Sequence, residues 1–243
     1  MAKAPFALLS LFFTAAAIVL LLLVVLAGTE NVAPLNLIYF MRADTADIDN
    51  APPMSQWTLW NYCEMSESGR NENCGAIKPA YPFDPPGNFG ESDAIPETFV
   101  GTKKFFLLSR FMFAFIFIGL FFAVCSLFTG LLALCSRLGG ALSGLLASIA
   151  LFWQAGAAAL MTACYVLGRD NFRAEDRFAE VGNYAFAFMW TAAFCLLLAT
   201  IFFFLVLGKG KTEKTRSSRG GLFGRKRSTR SQGSFFDRKT DYS

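Results

Sequence analysis

Six cysteines and a complete absence of histidine frame the chemistry open to this chain. Without an imidazole there is no His-based general acid or base, no Ser-His-Asp or Cys-His nucleophile and no His-ligated metal. No GxGxxG, Walker A or HExxH pattern occurs either, so the chain reads as non-enzymatic and no cofactor or metal is expected. Cys63 and Cys74 are the only cysteines outside the apolar segments and their ends. In an oxidising compartment they would pair around the Ser-Gly-Arg-Asn turn, a closure worth a few kcal/mol. Two free thiols, or a metal pair lacking further ligands, are the competing readings. The run Trp57-Thr58-Leu59-Trp60-Asn61-Tyr62-Cys63 alternates aromatic and other residues in the manner of a strand, and Asn36–Phe40 suggests another.

The remaining polar candidates lie in apolar surroundings. Gln154 is the one strongly polar residue deep in such a segment, where an amide is expected to hydrogen-bond to a neighbouring helix. Arg110 is the only charge, close enough to Lys103 and Lys104 to snorkel outward. Gly140, Gly144 and Ser148 are spaced four apart, a stripe that lets helix backbones approach. Packing against the preceding helix, or a seam with a second copy, are its two readings. A carrier or pore would ordinarily show several intramembrane charges. Cys125, Cys164 and Cys195 read as small packing residues, and Cys135, at a helix end, is a candidate for S-palmitoylation.

The elements that hold these residues follow from composition. The 243 residues are 54% hydrophobic, with a mean hydropathy of +0.43 and 16% charged residues, where soluble domains carry about 25%. Four runs can each supply the roughly 20 apolar residues of a membrane helix. The reading is an all-α membrane protein: residues 1–27 (start and first helix), 105–135, 141–167 and 184–207 for the spans, joined by a loop domain at 28–104, a tight turn at 136–140 and a second loop at 168–183. The first span, with Lys3 before it and Ala27-Gly28 after it, competes with a cleaved signal peptide, whose apolar core is shorter, roughly 7–15 residues.

Charge sets the expected orientation. Residues 28–104 hold 11 Asp/Glu against 5 Lys/Arg, whereas 208–243 hold 11 Lys/Arg against 3 Asp/Glu. The positive-inside bias then places both termini in the cytoplasm and both long loops outside. Residues 208–243 read as a disordered basic tail. Lys209, Lys211, Lys214, Arg216, Arg219, Arg225, Lys226 and Arg227 are expected to attract anionic lipid. Ser217, Ser218, Ser228, Thr229, Ser231 and Ser234 are candidate phosphorylation sites whose added charge would weaken that attraction. Pro79 to Pro96 holds five prolines and two glycines and is expected to be irregular. The loop contains no Asn-x-Ser/Thr sequon.

Placed in the first outer loop of four helices, Trp57-x-Leu59-Trp60-x-x-Cys63 followed by Cys74 resembles the claudin-type signature. The form Leu-Trp-Asn-Tyr-Cys is closer to the fungal Sur-seven/PalI tetraspan family. Tyr81-Pro82-Phe83-Asp84-Pro85, Phe128-Thr129-Gly130, Ser136-Arg137-Leu138-Gly139, Ala158 to Ala163 and Gly168-Arg169 add to the likeness, which covers roughly Met1 to Leu207. The resemblance implies a plasma-membrane protein of static, eisosome-associated cortical patches, linked to membrane organisation, endocytosis, cell-wall integrity and sphingolipid balance. A PalI-type auxiliary subunit in ambient-pH sensing, or a regulator of calcium influx, is the alternative. It also implies that Trp57, Leu59, Trp60, Cys63 and Cys74 shape the outer domain, with Asn61 and Tyr62 in the same motif. Expected partners are anionic lipids (sphingolipid or phosphoinositide), other cortical-patch proteins and a second copy of the chain, and no nucleic acid.

Overall fold

The structure, a computed structural model, describes residues 4–90, 92–133 and 137–219. Four long helices form the bundle: α1 (Ala4–Leu26), α3 (Lys104–Ala133), α4 (Arg137–Ala174) and α5 (Asn183–Arg219). All four contain stretches long and apolar enough to cross a membrane. The 23 residues of α1 extend about 35 Å at 1.5 Å per residue, enough for a hydrocarbon core of about 30 Å. Contacts run α3–α4, α4–α5, α5–α1 and α1–α3, so the helices close into a ring. Phe12, Phe121, Phe128, Phe152 and Phe194 stand on its exterior, each more than half exposed. Such a surface would aggregate in water and is solvated by lipid chains.

Between α1 and α3 lie the strands β1 (Met41–Asp44), β2 (Met54–Trp57), β3 (Tyr62–Met65) and β4 (Asn71–Glu72), and the short helix α2 (Pro85–Phe89). A fifth strand, β5 (Ala179–Val181), comes from the connection between α4 and α5. The sheet is antiparallel throughout, in the order β4-β3-β2-β1-β5. Arg42 pairs with Glu180 in the β1–β5 register, and their side chains form an ion pair of 2.7 Å. Tyr39 Oη donates to the same carboxylate at 3.2 Å.

Several elements differ from the sequence expectation, each for a local reason. Trp57 to Cys63 is not one strand. It ends β2, turns through Thr58–Asn61 and begins β3, because the Thr58 N–H donates to the Asn61 carbonyl at 2.9 Å and Thr58 Oγ1 accepts the Asn61 N–H. Asn36 and Leu37 of the expected Asn36–Phe40 strand fall in a 3-10 turn (Leu35–Leu37), and the strand starts at Met41. The 168–183 loop is helical to Ala174, where hydropathy falls but buried Phe172 holds the last turns against the sheet domain. Asp176, at φ 58°, then turns the chain toward β5. Arg137 to Gly140 belong to α4 rather than to a turn. The 208–243 tail continues α5 as far as Arg219, since extending an existing helix needs no new nucleus. Helix α2 interrupts the irregular 79–96 stretch.

The sheet domain and the bundle share one core. Phe83 sits at its centre, 1% exposed, with its ring centroid 5.1 Å from Trp57, 5.3 Å from Tyr165, 5.7 Å from Phe105 and 5.8 Å from Phe99. Phe40 stacks on Tyr165 at 5.1 Å. Gly168 leaves the ring its room, since a Cβ there would meet Phe83 Cε1 at 2.6 Å. Phe83→Ala is expected to cost about 3–5 kcal/mol. Phe121→Ala, on the lipid face, should cost far less. Thermal unfolding of the two variants in one detergent checks the contrast.

Candidate functional site

The Trp57–Cys74 segment is built as a joint between water-facing sheet and lipid-facing helices. Its two tryptophans diverge. Trp57, 1% exposed, enters the domain core, and its indole N–H reaches Asn88 Oδ1 at 3.1 Å. Asn88 is held in turn by Asp84 N–H and by donation to the Pro82 carbonyl. Trp60 turns toward the bundle, edge-on to Phe113 and Phe117 of α3, and its indole N–H donates to the Val25 carbonyl at 2.6 Å. That carbonyl is in the last turn of α1, where helix carbonyls lack an intrahelical partner. Leu59, between them, is 2% exposed.

Asn61 ties three segments together. Its Nδ2 donates to Gly28 O at 3.2 Å and Gly75 O at 2.9 Å, and its Oδ1 lies 2.8 Å from the Thr58 hydroxyl. Gly28 follows α1 at φ +82°, and a Cβ there would collide with Thr58. A side chain is therefore excluded twice, by conformation and by space. Cys63 and Cys74 form a disulfide, which pins β3 to the chain beyond β4. Tyr62 lies edge-on to Phe89 at 5.0 Å and near Tyr81 at 6.2 Å.

Inside the bundle, Gln154 is fully buried and its Nε2 lies 3.4 Å from the Met189 carbonyl and sulfur on α5, while its Oε1 has no partner. Gly144 packs on Phe203 and Phe204 of α5, with Phe203 Cβ 3.3 Å from the position of a Cβ. At Gly144 the small-residue stripe thus faces α5 rather than the preceding helix. Ser148 bonds back to the Gly144 carbonyl, and Gly140 is buried. The α3–α4 contact instead uses hydroxyls: Ser126 Oγ donates to Ser143 O at 3.0 Å, and Ser143 Oγ lies 3.1 Å from Thr129 Oγ1. Cys164 and Cys195 are buried thiols, and Cys125 is half-buried. Lys209, Lys211, Lys214, Arg216 and Arg219 lie along the final stretch of α5. Cys135, Arg225, Lys226, Arg227, Ser228, Ser231 and Ser234 lie outside the described residues.

Asn88, Ser109, the Arg42–Glu180 pair and the central place of Phe83 escaped the sequence reading. Ser109 Oγ accepts the Phe83 N–H at 3.0 Å, which fastens the Tyr81–Pro85 run to α3. A Pro-Phe-Asp-Pro run signals a rigid turn, but nothing local says which ring becomes the hub. Among the described residues no three Cys, Asp or Glu side chains gather as a metal site would require.

These features define a multi-pass membrane protein: four spans capped by a disulfide-closed antiparallel sheet. The chain belongs to the SUR7/PalI family, whose sequence profile matches residues 6–202. It is 37% identical over 204 residues to protein SUR7 of Candida albicans, covering 83% of this chain and 74% of that one. It is 35% identical to the SUR7 family protein FMP45 of Saccharomyces cerevisiae, covering 80% and 63%. It is 33% identical to an uncharacterized plasma membrane protein of the same yeast, covering 79% and 65%. The match to the two yeast proteins therefore spans just under two thirds of their length.

Asn61→Leu leaves the Gly28 and Gly75 carbonyls without their donor, at about 1–3 kcal/mol each. The variant should melt earlier than Trp60→Phe, which orphans one carbonyl instead of two, again at about 1–3 kcal/mol, and keeps an aromatic ring. Burial, with Tyr62 and Asp84 adding, pushes the half-buried Tyr81 phenol up to about 12 from 10.0. The unfolded chain then ionises first. The domain's stability should hold below pH 10 and decline as pH rises toward 12. Tyr81→Phe should flatten that decline, read by tryptophan fluorescence across an alkaline titration.

Proposed function

We propose that this chain is a non-enzymatic organiser of the plasma membrane, resident in static cortical patches of the eisosome-associated kind and affecting endocytosis and cell-wall integrity. Family membership and the plasma membrane named for one relative support the location. The observation that carries the structural role is where the Trp57–Cys74 residues go: Trp57, Trp60, Asn61 and the disulfide all fasten the sheet to itself or to the helix ends. A domain held so firmly to four spans presents a fixed surface beside the membrane. In this reading the sheet domain is extracellular and both termini are cytoplasmic. The basic residues from Lys209 onward contact anionic lipid of the inner leaflet, with phosphorylation of Ser228, Ser231 or Ser234 loosening the contact and palmitoylation of Cys135 adding an anchor. An auxiliary sensory subunit is the second reading, supported by the PalI half of the family.

A fluorescent fusion imaged in a fungal host, with photobleaching recovery, separates the two. Immobile cortical puncta that disperse when Cys63→Ser and Cys74→Ser are introduced support the organiser. A uniform, rapidly recovering signal refutes it and favours the sensory subunit.

A further inference from the structure

Two local rules are broken at the same end of α3. Lys103 and Lys104 stand at its N-terminus, where the helix dipole is positive and basic residues are unfavourable, and the first turn contains no acidic residue to offset them. Arg110 lies inside the span on the lipid side, exposed beside Leu107 and Phe111, which are 47% and 56% exposed. A guanidinium on that face is costly unless something neutralises it. None of the described ion pairs includes any of these three cations. Lys103 and Lys104 are also out of keeping with the rest of residues 28–104, which is acidic.

The geometry brings them together. Lys103, Phe106 and Arg110 fall on one face at helical spacing, and the Lys103 carbonyl already accepts the Leu107 N–H at 3.0 Å. The Arg110 guanidinium lies 4.3 Å from the Phe106 ring centroid, so it is turned back toward Lys103 rather than into the hydrocarbon. The depth suits a headgroup. Cys164 Sγ of α4 lies 3.8 Å from the Phe105 carbonyl, and Trp190 of α5 donates to Thr162 of α4 at 3.3 Å. Trp190, 49% exposed, therefore marks this level of the bundle, with Tyr184, 54% exposed, about 9 Å further toward the sheet domain on the same helix, and such aromatics sit at the membrane–water boundary.

We propose that Lys103, Lys104 and Arg110 bind the phosphate of a net-anionic phospholipid in the leaflet on the sheet-domain side. The guanidinium supplies paired N–H donors to the phosphate oxygens, the two ammonium groups supply charge, and the acyl chains lie along Leu107 and Phe111. One anion then relieves both violations. This site is distinct from the basic stretch at the end of α5, on the opposite side of the membrane, and does not depend on the cortical-patch reading.

The test is native mass spectrometry of the full chain released from nanodiscs of phosphatidylcholine with a minor fraction of phosphatidylglycerol. The wild type should retain phosphatidylglycerol in preference to phosphatidylcholine. Arg110→Gln should lower that retention about fivefold, and Lys103→Gln with Lys104→Gln further, at about fivefold per charge. Arg169→Gln, which removes a cation already paired with Asp170, should leave it unchanged. The double lysine variant lies at the exposed start of the helix and leaves the packed core alone. Equal retention by the wild type and both variants, or equal retention of the two lipids, overturns the proposal and reduces Arg110 to simple snorkelling into water.

Discussion

The contact between Phe83 and its ring neighbours is the constraint on which the architecture turns. Helices in a bilayer gain nothing from leaving water, because lipid tails are as apolar as their own side chains. A sheet domain in water has that drive, at about 1.5–3 kcal/mol for each large side chain buried. Phe83, Trp57, Phe89 and Phe99 are the domain's interior, yet Phe105, Tyr165 and Phe172, which close it, belong to α3 and α4. The hydrophobic effect in the aqueous domain is thereby applied to the helix ends, holding α3 and α4 at a fixed spacing that their hydroxyl contacts then follow into the membrane.

The spans were legible because their signal is long. Twenty apolar residues in a row have no other soluble explanation, and the disulfide followed from two cysteines left over outside them. Short-range detail was harder. Trp57 to Cys63 carries the composition of a strand, but the Thr58 N–H donating to the Asn61 carbonyl and the Asn61 N–H donating to the Thr58 hydroxyl fold it into a hairpin. Three-residue β5 has no periodicity to detect, and its place beside β1 is fixed by partners such as Tyr39 and Glu180, 141 residues apart. Hydropathy likewise ended the third span at Leu167, while the helix persists to Ala174 because Phe172 has somewhere to dock.

The Trp-x-Leu-Trp pattern has a physical reading once both rings are placed. Residues three apart across a tight turn diverge, so Trp57 enters the aqueous core and Trp60 reaches the bundle. Each ring brings one N–H, and each finds an acceptor that would otherwise lack a partner of that strength. The first tryptophan stabilises the domain and the second sets its height above the helices. The Asn61 amide, reaching Gly28 and Gly75, fixes its rotation about α1.

The position of β5 in the chain bears on how the protein is made. β1 has β2 on one side as soon as the first loop domain is synthesised, but its other edge waits for residues 179–181. Those residues reach the same side of the membrane only after α3 and α4 have been threaded through it. Until then β1 remains an open sheet edge, the kind that recruits stray strands. Completion of the sheet is thus a report that the helices before it were inserted in the right sense. A chain with a misthreaded span would leave that edge of β1 without its partner strand.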